Sequence, residues 1–146
     1  MPRYSAGALT TAGSTTLPII SLYAIAAVGG RIREIGVFNT TAVAVALKLV
    51  RLAATGTQGT GLVEAKYDPS GAAASCTAFN THSSTGPTLG DDLGYRTVLG
   101  AAIGSGIIWT FGDSGIIVPV GTANGVGVIV ENGTGQACQA YIVWDE

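Results

Sequence analysis

The chain closes on "GVGVIVENGTGQACQAYIVWDE", residues 125–146. Two apolar runs flank a polar, glycine-rich turn. Val126, Val128 and Val130 share one parity before the turn, and Ala140, Ile142 and Trp144 share one after it. A period of two puts such side chains on one face of an extended strand. Between the runs, Asn132-Gly133 adopts positive φ at little cost, which makes it a strong turn signal. The segment predicts a hairpin whose final strand lies well inside a sheet. It contains no His, no Lys and no metal-ligand cluster, so it reads as architecture.

The same pattern extends upstream. Short strands are expected near 95–101, 106–112 and 115–120, with Asn124-Gly125 marking another turn. In the first third, apolar stretches at 17–27, 31–39 and 42–52 are punctuated by Gly29-Gly30. Within "AVAVALKLVRL", residues 42–52, the odd positions Val43, Val45, Leu47 and Leu49 are apolar, whereas Ala42, Ala44, Ala46 and Lys48 are small or charged. Ala, Leu, Lys and Arg also favour a helix there, but the valines and the strict alternation favour a strand. A turn "TGTQGTG" at 55–61 precedes a strand at 62–67. The stretch "DPSGAAASCTAFNTHSSTGPTLGDDLG", residues 68–94, breaks the rhythm apart from one short strand around 75–80. Such an insert is either a binding loop or a crossover between two sheets, and the crossover is the favoured reading. These elements predict an all-β domain over 17–146, a jelly roll or β-sandwich of about eight to nine short antiparallel strands. Residues 1–16, "MPRYSAGALTTAGSTT", lack bulky apolar periodicity and are expected to form an extended N-terminal arm.

Composition narrows the function classes. Hydrophobic residues make up 47% of the 146 residues and charged ones only 11%, so disorder is excluded and partly apolar surface is expected to be covered by other subunits. The net charge is −2 and no run is basic, which argues against nucleic-acid binding. The run "LPIISLYAIAAV", 17–28, falls short of the roughly 20 residues of a spanning helix, so no membrane partner is expected. Arg3, upstream of it, only faintly imitates a signal peptide. Cys76 and Cys138 do not make a disulfide framework; buried free thiols are the favoured reading, with a bridge left open.

Reactive constellations are sparse. "GTQGTG" at 56–61 lacks the Lys of a phosphate loop. His82 is the one histidine, so it is the best candidate base for any hydrolytic chemistry, yet no G-x-S-x-G elbow accompanies it. Cys76, His82, Asp91 and Asp92 match no metal-site spacing. No catalytic residue, cofactor or metal is expected. The aromatic residues sit mostly inside apolar runs, which makes them core or subunit-interface residues before they are a sugar-stacking platform.

Residues 107–146, "IIWTFGDSGIIVPVGTANGVGVIVENGTGQACQAYIVWDE", resemble small jelly-roll virion proteins of tailed bacteriophages, as does the opening "MPRYSAGALTTAGSTTLPIISLYA". The resemblance leaves the middle of the chain unanchored. It implies a capsid decoration, or cement, protein: a homotrimer on the capsid exterior whose arms or loops contact the major capsid protein. Arg3 and Tyr4 are the expected capsid contacts, being residue types that often carry interface energy. Tyr141 and Trp144 in the last strand are the expected oligomer interface. The alternative is a carbohydrate- or receptor-binding module of a phage tail or a secreted lectin, and an enzyme ranks third.

Overall fold

A computed structural model describes all 146 residues. Eleven strands and no helix make up the chain: β1 (Arg3–Leu9), β2 (Ile20–Tyr23), β3 (Gly30–Asn39), β4 (Val45–Leu52), β5 (Ala65–Lys66), β6 (Thr77–Phe79), β7 (Leu89–Leu99), β8 (Gly106–Thr110), β9 (Ile116–Val118), β10 (Gly125–Asn132) and β11 (Cys138–Asp145). One sheet has the order β5-β1-β11-β3-β8, with β9 paired to the start of β3; the other runs β6-β2-β10-β4-β7. All pairings are antiparallel. Without the short strands β5, β6 and β9, the sheets read 1-11-3-8 and 2-10-4-7. Successive strands of these eight switch sheet at every step except from β4 to β7, which pair within the second sheet; this is the eight-stranded jelly roll.

The apolar alternation holds from Val45 onward; Val43, expected on the same face, lies in the loop before β4 and is exposed. Val45, Leu47 and Leu49 are buried between the sheets, as are Val126, Val128, Val130, Ala140, Ile142 and Trp144. The last strand does lie inside its sheet, flanked by β1 and β3, but the expected closing hairpin does not form: β10 lies between β2 and β4 in the other sheet, and 133–137 crosses from one sheet to the other. In β3, Ile32 and Ile35 both enter the core although they are three residues apart. A register shift opposite Val143 and Trp144 absorbs the extra residue, as a β-bulge does.

The arm expected over 1–16 is extended through residues 3–9, which form β1, paired along their whole length with β11 from Arg3 opposite Asp145 to Leu9 opposite Gln139. Its Ser, Ala and Gly carry no bulky periodicity, so the backbone ladder and the inward Tyr4 and Ala6 define the strand instead. Strand β7 begins at Leu89, well before residue 95, and tolerates the polar "GDD" because it is an edge strand with two register shifts. Eight principal strands make the sandwich, as expected, and β5, β6 and β9 are two- or three-residue additions to it. The segment 68–94 does cross between sheets, carrying the chain from β5 in one to β6 in the other.

The two sheets treat their outer faces differently. On the second sheet, Tyr23, Val50, Leu52 and Ile129 point outward yet are buried in a second small cluster. The chain covers this end of the face itself. Segments 53–62 and 78–88 run side by side, joined by backbone hydrogen bonds such as Ala53 N–H to Thr88 O and Leu62 N–H to Ala78 O. Tyr23 donates from its hydroxyl to Ala54 O at 2.9 Å, and His82 packs against its ring. Lys48, Asp92, Arg96 and Glu131 form an ion-pair network further along the same sheet.

Candidate functional site

The jelly-roll winding brings four loops to one end of the sandwich: 10–19, 40–44, 100–105 and 133–137, which follow β1, β3, β7 and β10. None contains an Asp, Glu, Lys, Arg or His. They are knitted together. Asn39, fully buried at the end of β3, donates from Nδ2 to Val43 O at 2.7 Å and to Gly100 O at 3.0 Å, while its Oδ1 accepts from Thr41 N–H at 3.0 Å. Thr40 Oγ1 donates to Ala137 O at 2.6 Å. Thr10 N–H donates to Cys138 O at 2.8 Å, and Cys138 N–H returns to Thr10 Oγ1 at 3.1 Å. Several of the loops' polar groups are thus engaged internally, and the loops present Ile103, 79% exposed, and Val43, 53% exposed, to solvent beside exposed threonines such as Thr15 and Thr134. Isolated exposed apolar residues are ordinary; these two stand out because the four loops around them carry no charged side chain.

Besides the ion-pair network on the second sheet, a group of charges lies at the opposite end of the sandwich, where residues near the two termini meet. Arg3 and Arg33 both bind the buried carboxylate of Asp145, at 2.7 and 2.6 Å. The hydrogen bond from Arg3, with support from Arg33, outweighs burial and holds Asp145 below the usual carboxylate range. Arg33 also donates to the carbonyls of Gly112 and Asp113. Glu146 accepts from the backbone N–H groups of Ser75 and Cys76. A cleft of about 480 Å³ opens beside these groups, lined by Arg3, Lys66, Tyr67 and Asp68 among others.

Of the residues singled out from the sequence, Arg3 is thus engaged in closing its own sheet. Tyr4 is only 2% exposed; its ring lies 5.9 Å from that of Trp144, centroid to centroid, and its hydroxyl donates to Ala72 O. Trp144 is completely buried between the sheets. Neither Tyr4 nor Trp144 offers surface to a partner in this fold, because the parity of β1 and β11 turns both inward. Tyr141 has the opposite parity. It lies on the outer face of the first sheet, flat over Gly36, with its hydroxyl donating to Glu34 at 2.5 Å. Partial burial and that carboxylate push its phenol up to about 12.

His82 is buried, its Nε2 3.0 Å from Thr55 O and its Nδ1 without a partner. Since a carbonyl can only accept, Nε2 carries the proton. Burial lowers the imidazole below its ordinary value, with Thr55 O pulling the other way. It lines a cleft of about 530 Å³ together with Gln58, Asn80, Thr81 and other residues, none of them Trp, Tyr or Phe. No group of three or more His, Cys, Asp or Glu converges as a metal-ligand set. Cys76 and Cys138 are both buried and free. They sit at the two ends of β3, Cys76 beside Gly30 and Cys138 opposite Asn39, about 30 Å apart by strand rise.

The fold places the chain among jelly-roll β-sandwiches. No protein-family model, curated protein or solved structure matches it. The uncharged loop end had a sequence signal, four charge-free stretches rich in Thr, Ala and Gly. Only the winding of the strands brings those stretches together.

Proposed function

We propose that this protein is a structural virion component that decorates and stabilises a tailed-bacteriophage capsid as an oligomer, the trimer that the resemblance implies. The observation that carries the reading is the charge-free end built by the loops at 10–19, 40–44, 100–105 and 133–137. A surface of this kind suits an uncharged protein partner. It has no cations to neutralise phosphates and no fixed charge that contact would strip of water. Its internal hydrogen bonds keep it rigid, so docking orders few groups and loses little entropy. The resemblance of residues 107–146 to phage decoration proteins supplies the partner, the major capsid protein, and the location on the capsid exterior. Repetition around a closed oligomer would multiply weak contacts on a symmetric lattice. The contacts proposed here, Val43 and Ile103, replace Arg3 and Tyr4.

Co-sedimentation with tailed-phage capsids that lack their own decoration protein tests the proposal. The wild-type chain is expected to pellet with the capsids, and Ile103→Lys together with Val43→Lys to remain in the supernatant while staying folded. A wild-type chain that never pellets with any such capsid, but binds defined glycans on an array, would transfer the assignment to the carbohydrate-binding alternative.

A further inference from the structure

Asn132 and Gly133 open the crossing from β10 to β11 at the uncharged loop end. Asn132 is the last residue of β10, set opposite Ala46 beyond the register shift that interrupts the pairing with β4. Both residues are exposed, and no hydrogen bond engages the Asn132 amide or the backbone N–H of Gly133. Gly133 has a φ of 71°, and a Cβ placed there would meet nothing within 4 Å. The other Asn-Gly pair, Asn124-Gly125, has the opposite setting. Asn124 Nδ2 donates to Val120 O at 2.7 Å. Its backbone N–H donates to Gly121 O and its carbonyl accepts from Ala24 N–H, both at 3.0 Å. Gly125 is buried within β10, paired with Tyr23 on one side and Leu52 on the other.

We propose that Asn132 is a self-modification site: the chain deamidates there, and the fold withholds the same reaction from Asn124. The Gly133 backbone nitrogen attacks Cγ of Asn132. The new N–C bond closes a succinimide ring, the Cγ–Nδ2 bond breaks, and the amide leaves as ammonia with the proton from the Gly133 nitrogen. Water then opens the ring at either carbonyl, leaving aspartate or isoaspartate. Glycine permits the attack because no side chain shields its nitrogen. Ring closure also needs backbone rotation at the asparagine, which the frayed last residue of a ladder allows and a residue bonded on both sides refuses. Either product puts a carboxylate beside loops 10–19, 40–44, 100–105 and 133–137, which hold no Lys or Arg to pair with it. One consequence rests on the proposed function: modification weakens docking at this end, because a charge carried into an uncharged contact sheds water without gaining a partner.

Peptide mapping by mass spectrometry after incubation in mildly alkaline buffer tests the site, with the native chain beside the same chain in guanidinium chloride. In the native protein Asn132 is expected to convert to aspartate and isoaspartate, with Asn124 at least about tenfold slower because it reacts only through local opening. In guanidinium chloride the two should convert alike. Asn132→Gln should abolish the acidic species that ion exchange resolves from the aged native protein. An Asn132 that stays intact in the native protein while it converts in denaturant overturns the site. Equal native rates at Asn132 and Asn124 overturn the selection by the fold. For the consequence, Asn132→Asp is expected to pellet with capsids more weakly than wild type, and equal pelleting overturns it. The mapping uses no capsid, so a wild type that never pellets removes the consequence along with the decoration reading and leaves the modification site standing.

Discussion

Arg3 meets Asp145 through two hydrogen bonds, Nε to Oδ1 at 2.7 Å and Nη2 to Oδ2 at 3.1 Å, and so joins the third residue of the chain to the second from last. Arg33 adds a third bond to the same carboxylate. The buried anion is satisfied from both neighbouring strands, which fixes the register of β1 and β3 on β11. Asp145→Asn should cost about 2 kcal/mol in urea unfolding, the scale of hydrogen bonds to a charged group. The larger penalty of a fully buried broken pair does not apply, because Arg3 keeps 44% of its side chain in water. A loss below about 0.5 kcal/mol would show that the backbone ladder alone holds β1. The pH dependence follows from the same geometry. The folded carboxyl titrates below its unfolded value, so its contribution is present above about pH 4 and disappears as pH falls through the depressed folded pKa. The Asn variant should lose that part of the acid sensitivity.

His82 predicts a second, separate pH effect. Its imidazole is kept neutral in the fold by burial, whereas the unfolded chain protonates near pH 6.5. Between these two pKa values the unfolded state binds the extra proton, so stability falls as pH drops below about 6.5. Urea midpoints at pH 7.5 and pH 5 should differ for wild type and converge for His82→Gln. Equal pH dependence in both proteins would rule out His82 as the source.

Asn39 holds the uncharged loop end together from a single buried amide. In Asn39→Ala, the carbonyls of Val43 and Gly100 and the N–H of Thr41 lose their partner. Roughly 3 kcal/mol of stability should go with them. Hydrogen exchange should accelerate in 40–44 and 100–105 while β10 stays protected. Uniform acceleration across both sheets would mean that Asn39 supports the whole sandwich and not the loop end in particular.

The two cysteines should be silent toward thiol reagents in the native protein. Burial pushes the Cys138 thiol up to about 11 and raises that of Cys76 as well, the latter with help from Glu146. Since the thiolate is the reactive form, neither should be modified at pH 8 until denaturant is added. Native-state labelling of either residue would indicate local opening, at the charged end for Cys76 and at the uncharged end for Cys138. An oxidised intramolecular disulfide in the folded protein would contradict the separation along β3.

How far the sequence carried is clearest at particular residues. In β4, β10 and β11 the side-chain alternation is strong because valines, isoleucines and leucines face a single core between two sheets. In β1 it failed: "SAGAL" has too little side-chain volume to show a period, and its strand exists because β11 offers a free ladder edge. Tyr4 and Trp144 were singled out as contact residues by their type, but whether an aromatic residue in a strand faces core or solvent depends on parity relative to its neighbours. Tyr141 and Trp144, three residues apart, fall on opposite faces.

By itself the sequence determined that this protein is all β, that its last strand lies within a sheet, and that charge is scarce; that β10 and β11 part into different sheets instead of closing a hairpin was a tertiary outcome. Period and turn chemistry are local properties, and each stretch reports its own. Tertiary structure alone decided where the charge-free stretches meet and which sheet face remains open. Those depend on strands distant in sequence being wound past one another, with 10–19, 40–44, 100–105 and 133–137 gathered at one end only by the order 1-11-3-8 over 2-10-4-7. The open face of the first sheet is likewise a tertiary outcome, since segments 53–62 and 78–88 close over part of the other sheet and leave this one bare.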